Sequence, residues 1–96
     1  MRVEYHPAVA RDIADALRRY DAVSECLAHE FEKELRRVIA VARENPARFH
    51  LLKPAVHRAN LQRFPYHVVY RDLPDGIRVV LVRHHRRDLT YGMERD

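Results

Sequence analysis

The chain has 96 residues, 47% of them hydrophobic and 33% charged, a balance that belongs to a folded protein and excludes a disordered one. That length supports one core, so a single domain over residues 1–96 is expected; no apolar run reaches the about 18 residues of a membrane span and MRVEYHP has no apolar signal core, so a cytoplasmic location without membrane contact is expected. The formal net charge of +4 is carried almost wholly by arginine, the only lysines being Lys33 and Lys53, and arginine's planar fork suits two-point contact with carboxylate or phosphate.

The opening RVEY alternates Val3 and Tyr5 with Arg2 and Glu4 and predicts a short strand. Pro7 sits where a helix can begin, and Val9, Ile13, Ala16, Leu17 and Tyr20 then recur at three- and four-residue steps, which gives a first helix one apolar stripe. Asp21 to Ser24 interrupt the pattern, with Ser24 placed to cap a second helix. Leu27, Phe31, Leu35, Val38, Ile39 and Ala42 carry that helix until Asn45-Pro46 stops it, so the two helices form a hairpin, with Phe31 and Leu35 in the core. The single cysteine, Cys26, falls within the helical pattern and is expected to be a buried packing residue with no chemical role.

The period then changes. After a connecting stretch holding Pro46 and Pro54, HRANLQRF sets Ala59 and Leu61 against Arg58, Asn60 and Gln62, a strand with one wet face. YHVVYR groups Tyr66, Val68 and Tyr70, and LPDG orders Pro74, Asp75 and Gly76 as a type I turn closed by a left-handed glycine. IRVVLV is apolar on both faces and is expected to be a central strand. The only glycines are Gly76 and Gly92, which excludes glycine-rich phosphate loops.

The central strand runs straight into RHHRRD, Arg83 to Asp88. His84 and His85 point to opposite faces of an extended chain, and no Cys or His at helical spacing completes a ligand set, so no metal and no cofactor is expected. Two readings remain: a solvated strand end, or a surface on which arginines hold an anion while a histidine or tyrosine moves protons. For the second, Arg58 and Arg63 join Arg83, Arg86 and Arg87 as candidate binding groups, and His67, His85 and Tyr91 as candidate proton-transfer groups.

The order of strand, helical hairpin and three-strand antiparallel meander, closed by NLQRFPYHVVYRDLPDGIRVVLVRHHRRDLTYG, resembles the RelE/ParE superfamily of bacterial toxins from type II toxin–antitoxin systems. The resemblance runs from VEYHPAV to Tyr91 and implies an α+β fold with one sheet. It implies one of two activities: metal-free cleavage of mRNA at the ribosome, as in RelE-like members, or poisoning of DNA gyrase, as in ParE-like members. Tyr91 stands where RelE-like nucleases carry a C-terminal tyrosine, and His85 where some carry a histidine or arginine. His67 replaces their arginine after the tyrosine of the RFPY-like strand, and Arg58 and Asn60 stand where they place lysines. Neutral at pH 7, a histidine stabilises a developing phosphorane charge less than arginine does. The resemblance is therefore to the ParE-like branch more than to the RelE-like one, and implies an acidic antitoxin as partner, in a toxin–antitoxin hetero-oligomer. A toxin-fold protein that has lost toxicity is the third reading.

Overall fold

The structure, a computed structural model, describes residues 1–96. Strand β1 spans Arg2–Tyr5, helix α1 Val9–Asp21, α2 Glu25–Glu44, β2 His50–Lys53, β3 Val56–Asn60, β4 Tyr66–Leu73 and β5 Gly76–His84, with a 3-10 turn at Pro46–Arg48 before β2. The strands form one sheet in the order β1-β5-β4-β3-β2. β1 lies parallel to β5, and all other neighbours are antiparallel. The α+β class and the element order are as the sequence implies, and β5 is interior to the sheet. The meander gains one strand, because His50–Lys53 pairs with β3 as an edge. All four of its residues are exposed, so HLLK carries no alternation for a reader to find.

Both helices cover one face of the sheet. The Ser24 hydroxyl accepts from the Leu27 N–H at 2.9 Å and starts α2. Phe31, fully buried, and Leu35 sit in a core with Tyr66, Val68, Tyr70, Val79 and Val82. Tyr20, Phe64 and Tyr66 surround Phe31, their ring centroids 5.1 to 5.3 Å from it, within the range of favourable tilted and edge-to-face contact. Cys26 is exposed, contrary to expectation. It precedes Leu27 by one position and so lies about 100° round the helix from the stripe that meets the sheet.

The opposite face carries a smaller cluster of Val56, Val69, Val80 and Leu81, against which Met93 of the C-terminal tail packs. Two turns hold the strands in register. Pro54 and Ala55 join β2 to β3, with Ala55 at φ 64°, the third position of a type II turn, where glycine is usual. Gly76 does not have the left-handed conformation expected of it: Gly92 is the glycine with positive φ. Gly76 is instead the first residue of β5, paired with Arg2 of β1, and its lack of a side chain admits the Arg2 backbone.

β5 also carries a bulge. Opposite it, the register passes from Val69 with Leu81 to Tyr70 with Val79, leaving Val80 as an extra residue. β1 pairs no farther than Val79. Beyond that point the edge of β5 is finished by side chains: Asp12 of α1 accepts the Val82 N–H at 3.1 Å, and Arg95 of the tail donates to the Val80 carbonyl at 3.0 Å. The fold thereby ties the end of β5, where the basic stretch begins, to α1 and to the tail.

Candidate functional site

The end of β5 divides the basic stretch between two faces, as extended chain must. His84 turns toward the helices, edge-on to Tyr66 with centroids 5.0 Å apart. His85 turns to the other face and meets the His67 ring of β4 edge to edge, nearly coplanar with it, centroids 5.1 Å apart and planes 12° apart. Past His84 the chain bends, with the Arg87 N–H on the His84 carbonyl at 2.9 Å. This bend carries Arg86 and Arg87 to the rim of an open cleft of about 790 Å³ between α1 and the β5 end, lined also by Asp15, Arg19, Tyr66 and His84.

The candidate arginines separate. Arg86 and Arg87 are exposed, and Arg87 lies over the Tyr91 ring at 4.0 Å. Arg58, half-buried on β3, is on the helix-free side, near enough to His67 and His85 to lower the basicity of both. Arg63 is elsewhere: its guanidinium pairs with Glu30 of α2 at 3.1 Å, because Glu34 draws the Gln62 and Arg63 N–H groups onto the helix. Arg83 is not a surface group at all. It is 4% exposed, donates through Nε to His67 Nε2 at 2.9 Å, and reaches the Leu89 and Tyr91 carbonyls at 2.8 and 3.1 Å. Its bonds to these two carbonyls hold the returning tail in place.

The candidate proton-transfer groups are likewise occupied. His67 is fully buried; its Nδ1 meets His85 Nδ1 at 2.9 Å while Nε2 faces Arg83. Burial first, then the charges of Arg58 and Arg83, push its pKa down to about 3. His85 is also lowered, by partial desolvation and Arg58, and His84 by desolvation and Arg19. His84 Nδ1 accepts the Arg86 N–H at 3.0 Å. The Tyr91 hydroxyl donates to Asp12 Oδ1 at 2.8 Å and accepts from Arg95 at 3.2 Å.

Asp12, Arg19 and Arg95 belong to this region and were missed in the sequence reading. Asp12 is buried with its carboxylate 2.6 Å from Arg95 Nη1. Its signal was present: Asp12 stands on the apolar stripe between Val9 and Ala16, a place where a charge needs a buried partner. Arg19 and Arg95 had no such mark, since one lies on the outer rim of α1 and the other in an irregular tail.

With all three histidines held neutral near pH 7, the positive charge at this end comes from arginine. That charge is suited to holding anionic groups.

Comparison with known proteins places these features in a family. The model of the family described as ParE toxin of type II toxin–antitoxin system, parDE, matches residues 3–89. Comparison with curated protein sequences gives no match. Among solved structures, the chain is similar to one described as the chromosomal ParDE TA system from P. aeruginosa, with a TM-score of 0.75 and 14% identity over 88% of this chain and 95% of that one. At that identity the likeness concerns the fold. No helix is long and apolar enough to cross a membrane.

Proposed function

The chain belongs to the ParE toxin family of type II toxin–antitoxin systems, and from that premise we propose that it inhibits growth by binding and poisoning DNA gyrase rather than by cutting RNA. The observation that carries the choice is the engagement, in bonds within the protein, of His67 and Tyr91, two of the three candidate proton-transfer groups. Tyr91 is tied to Asp12, His67 lies inside the protein between Arg83 and His85, and His84 Nδ1 accepts a backbone N–H. A metal-free ribonuclease needs a base within reach of the attacking hydroxyl, whereas a binding poison needs a rigid charged surface. Arg19, Arg86 and Arg87 supply that surface around the cleft.

The same charge favours neutralisation by an acidic antitoxin whose carboxylates cover the arginines, in a hetero-oligomer of toxin and antitoxin. Inducing the chain in cells tests the choice of target. DNA breaks that disappear in a strain with resistant gyrase are expected. Codon-positioned cuts in mRNA would replace the proposal with the ribonuclease reading, and absence of any growth effect with that of a toxin fold without toxicity.

A further inference from the structure

The hydrogen bonds running from Arg83 through His67 to His85 leave one arrangement of protons. A guanidinium only donates, so His67 Nε2, 2.9 Å from Arg83 Nε, must be the acceptor. A neutral His67 then carries its proton on Nδ1 and donates it to His85 Nδ1, 2.9 Å away. His85 Nδ1 is thereby an acceptor, and the proton of its own neutral ring sits on Nε2. Protonating His85 at Nδ1 would set two N–H groups against each other, and His67 has no second acceptor to offer because Arg83 occupies it.

We infer that the Arg83–His67–His85 chain fixes His85 as a neutral hydrogen-bond donor, whose exposed Nε2–H recognises a carboxylate or carbonyl oxygen of a protein partner. His67 is the positioning residue of the set. Arg83 and Arg58 face it with positive charge from β5 and β3, and no carboxylate draws the ring pair toward the charged form. The occupant is a protein rather than RNA, because single-stranded RNA is gripped by stacking bases on exposed aromatic faces. The tyrosines at this end do not offer such a face: Tyr66 is buried, and Tyr91 is covered by the Arg87 and Arg95 guanidinium carbons, 4.0 and 5.0 Å from its centroid.

The choice of a protein occupant rests on the toxin reading above, whereas the tautomer assignment stands without it. Long-range proton–nitrogen NMR on the uniformly ¹⁵N-labelled chain near pH 7 is expected to show the Nδ1–H tautomer for His67 and the Nε2–H tautomer for His85, with neither ring charged. An imidazolium or an Nδ1–H tautomer at His85 would overturn the inference, whether or not the chain is toxic. For recognition, His85→Phe should weaken growth inhibition about 10-fold or more, and His85→Gln, which places an amide N–H near the position of Nε2–H, should recover most of that loss. A base cannot be replaced by glutamine, so equal loss in both variants, at the roughly 100-fold or greater scale of proton transfer, would sink the donor role. No loss in either would remove His85 from recognition.

Discussion

A methyl group at position 76 would collide with the Arg2 carbonyl oxygen, inside the parallel contact between β1 and β5. The obstacle is backbone, which cannot swing aside as a side chain can. Gly76→Ala is therefore expected to cost about 3 kcal/mol or more, beyond the usual about 1 to 3 kcal/mol of overpacking, read as a fall in the urea midpoint. The sequence offered this glycine as a turn signal, and its neighbours Pro74 and Asp75 do make the turn. What it withheld was the long-range partner, since nothing local says that Arg2 will arrive alongside. His67 has the reverse character: its place on the sheet was legible from the alternation of YHVVYR, whereas its burial depended on Arg83 and the tail. Because its pKa is about 3 in the fold against 6.5 in a free chain, the unfolded state binds the proton first as pH falls. His67 therefore contributes stability fully above about pH 6.5, and loses it progressively toward pH 3, with a slope approaching about 1.4 kcal/mol per pH unit. Denaturant midpoints measured down from neutral pH should fall through that window, while the His67 ring resonances stay unchanged to about pH 5.

At the scale of elements, the informative feature is the way the tail completes β5. Asp12 and Arg95 form a buried ion pair, and such pairs often stabilise no more than apolar replacements would. This one differs because it also satisfies the Val82 N–H and the Val80 carbonyl left open by the bulge. Arg95→Ala should cost about 3 to 5 kcal/mol by leaving Asp12 buried without its cation. A double replacement, Asp12→Leu with Arg95→Met, should not restore stability, because each unpaired backbone group still costs about 1 to 3 kcal/mol; full recovery would show that the pair does not finish the strand edge. Helix α2 makes the contrasting case. Its stripe was legible throughout, and Phe31→Ala should cost about 3 to 5 kcal/mol in thermal or chemical unfolding because three rings pack around it. Helical period is a local property, so it survives in the sequence. The tail takes its position from distant partners, and β2, although it pairs with its neighbour β3 across a two-residue turn, has four exposed residues that hold no period to read.

For the whole molecule, the division of the arginines becomes a test of what the basic end does. Arg83, Arg86 and Arg87 looked alike in the sequence because all three stand within one charged run, yet the fold buries the first and exposes the other two. Arg83→Gln should act on stability, costing about 3 kcal/mol as the Leu89 and Tyr91 carbonyls and His67 lose a charged donor. Arg86→Gln with Arg87→Gln should act on function. Arg86 has no packing role, and Arg87 gives up only its contact with Tyr91, about 0.5 to 1 kcal/mol at an exposed site. The double variant should therefore melt within a few degrees of the parent while its growth inhibition falls about 10-fold or more, through loss of charge-assisted contacts with acidic groups on the target. Salt provides a second readout, because exposed charges are screened over about 10 Å at 0.1 M: binding of purified gyrase should weaken with ionic strength in the parent and less steeply in the variant. If inhibition is intact at normal expression and the salt dependence is unchanged, the exposed arginines are only a solvated strand end. The toxic surface would then have to be sought on the β2 edge, where Leu51 and Leu52 are exposed and the strand has no outer neighbour.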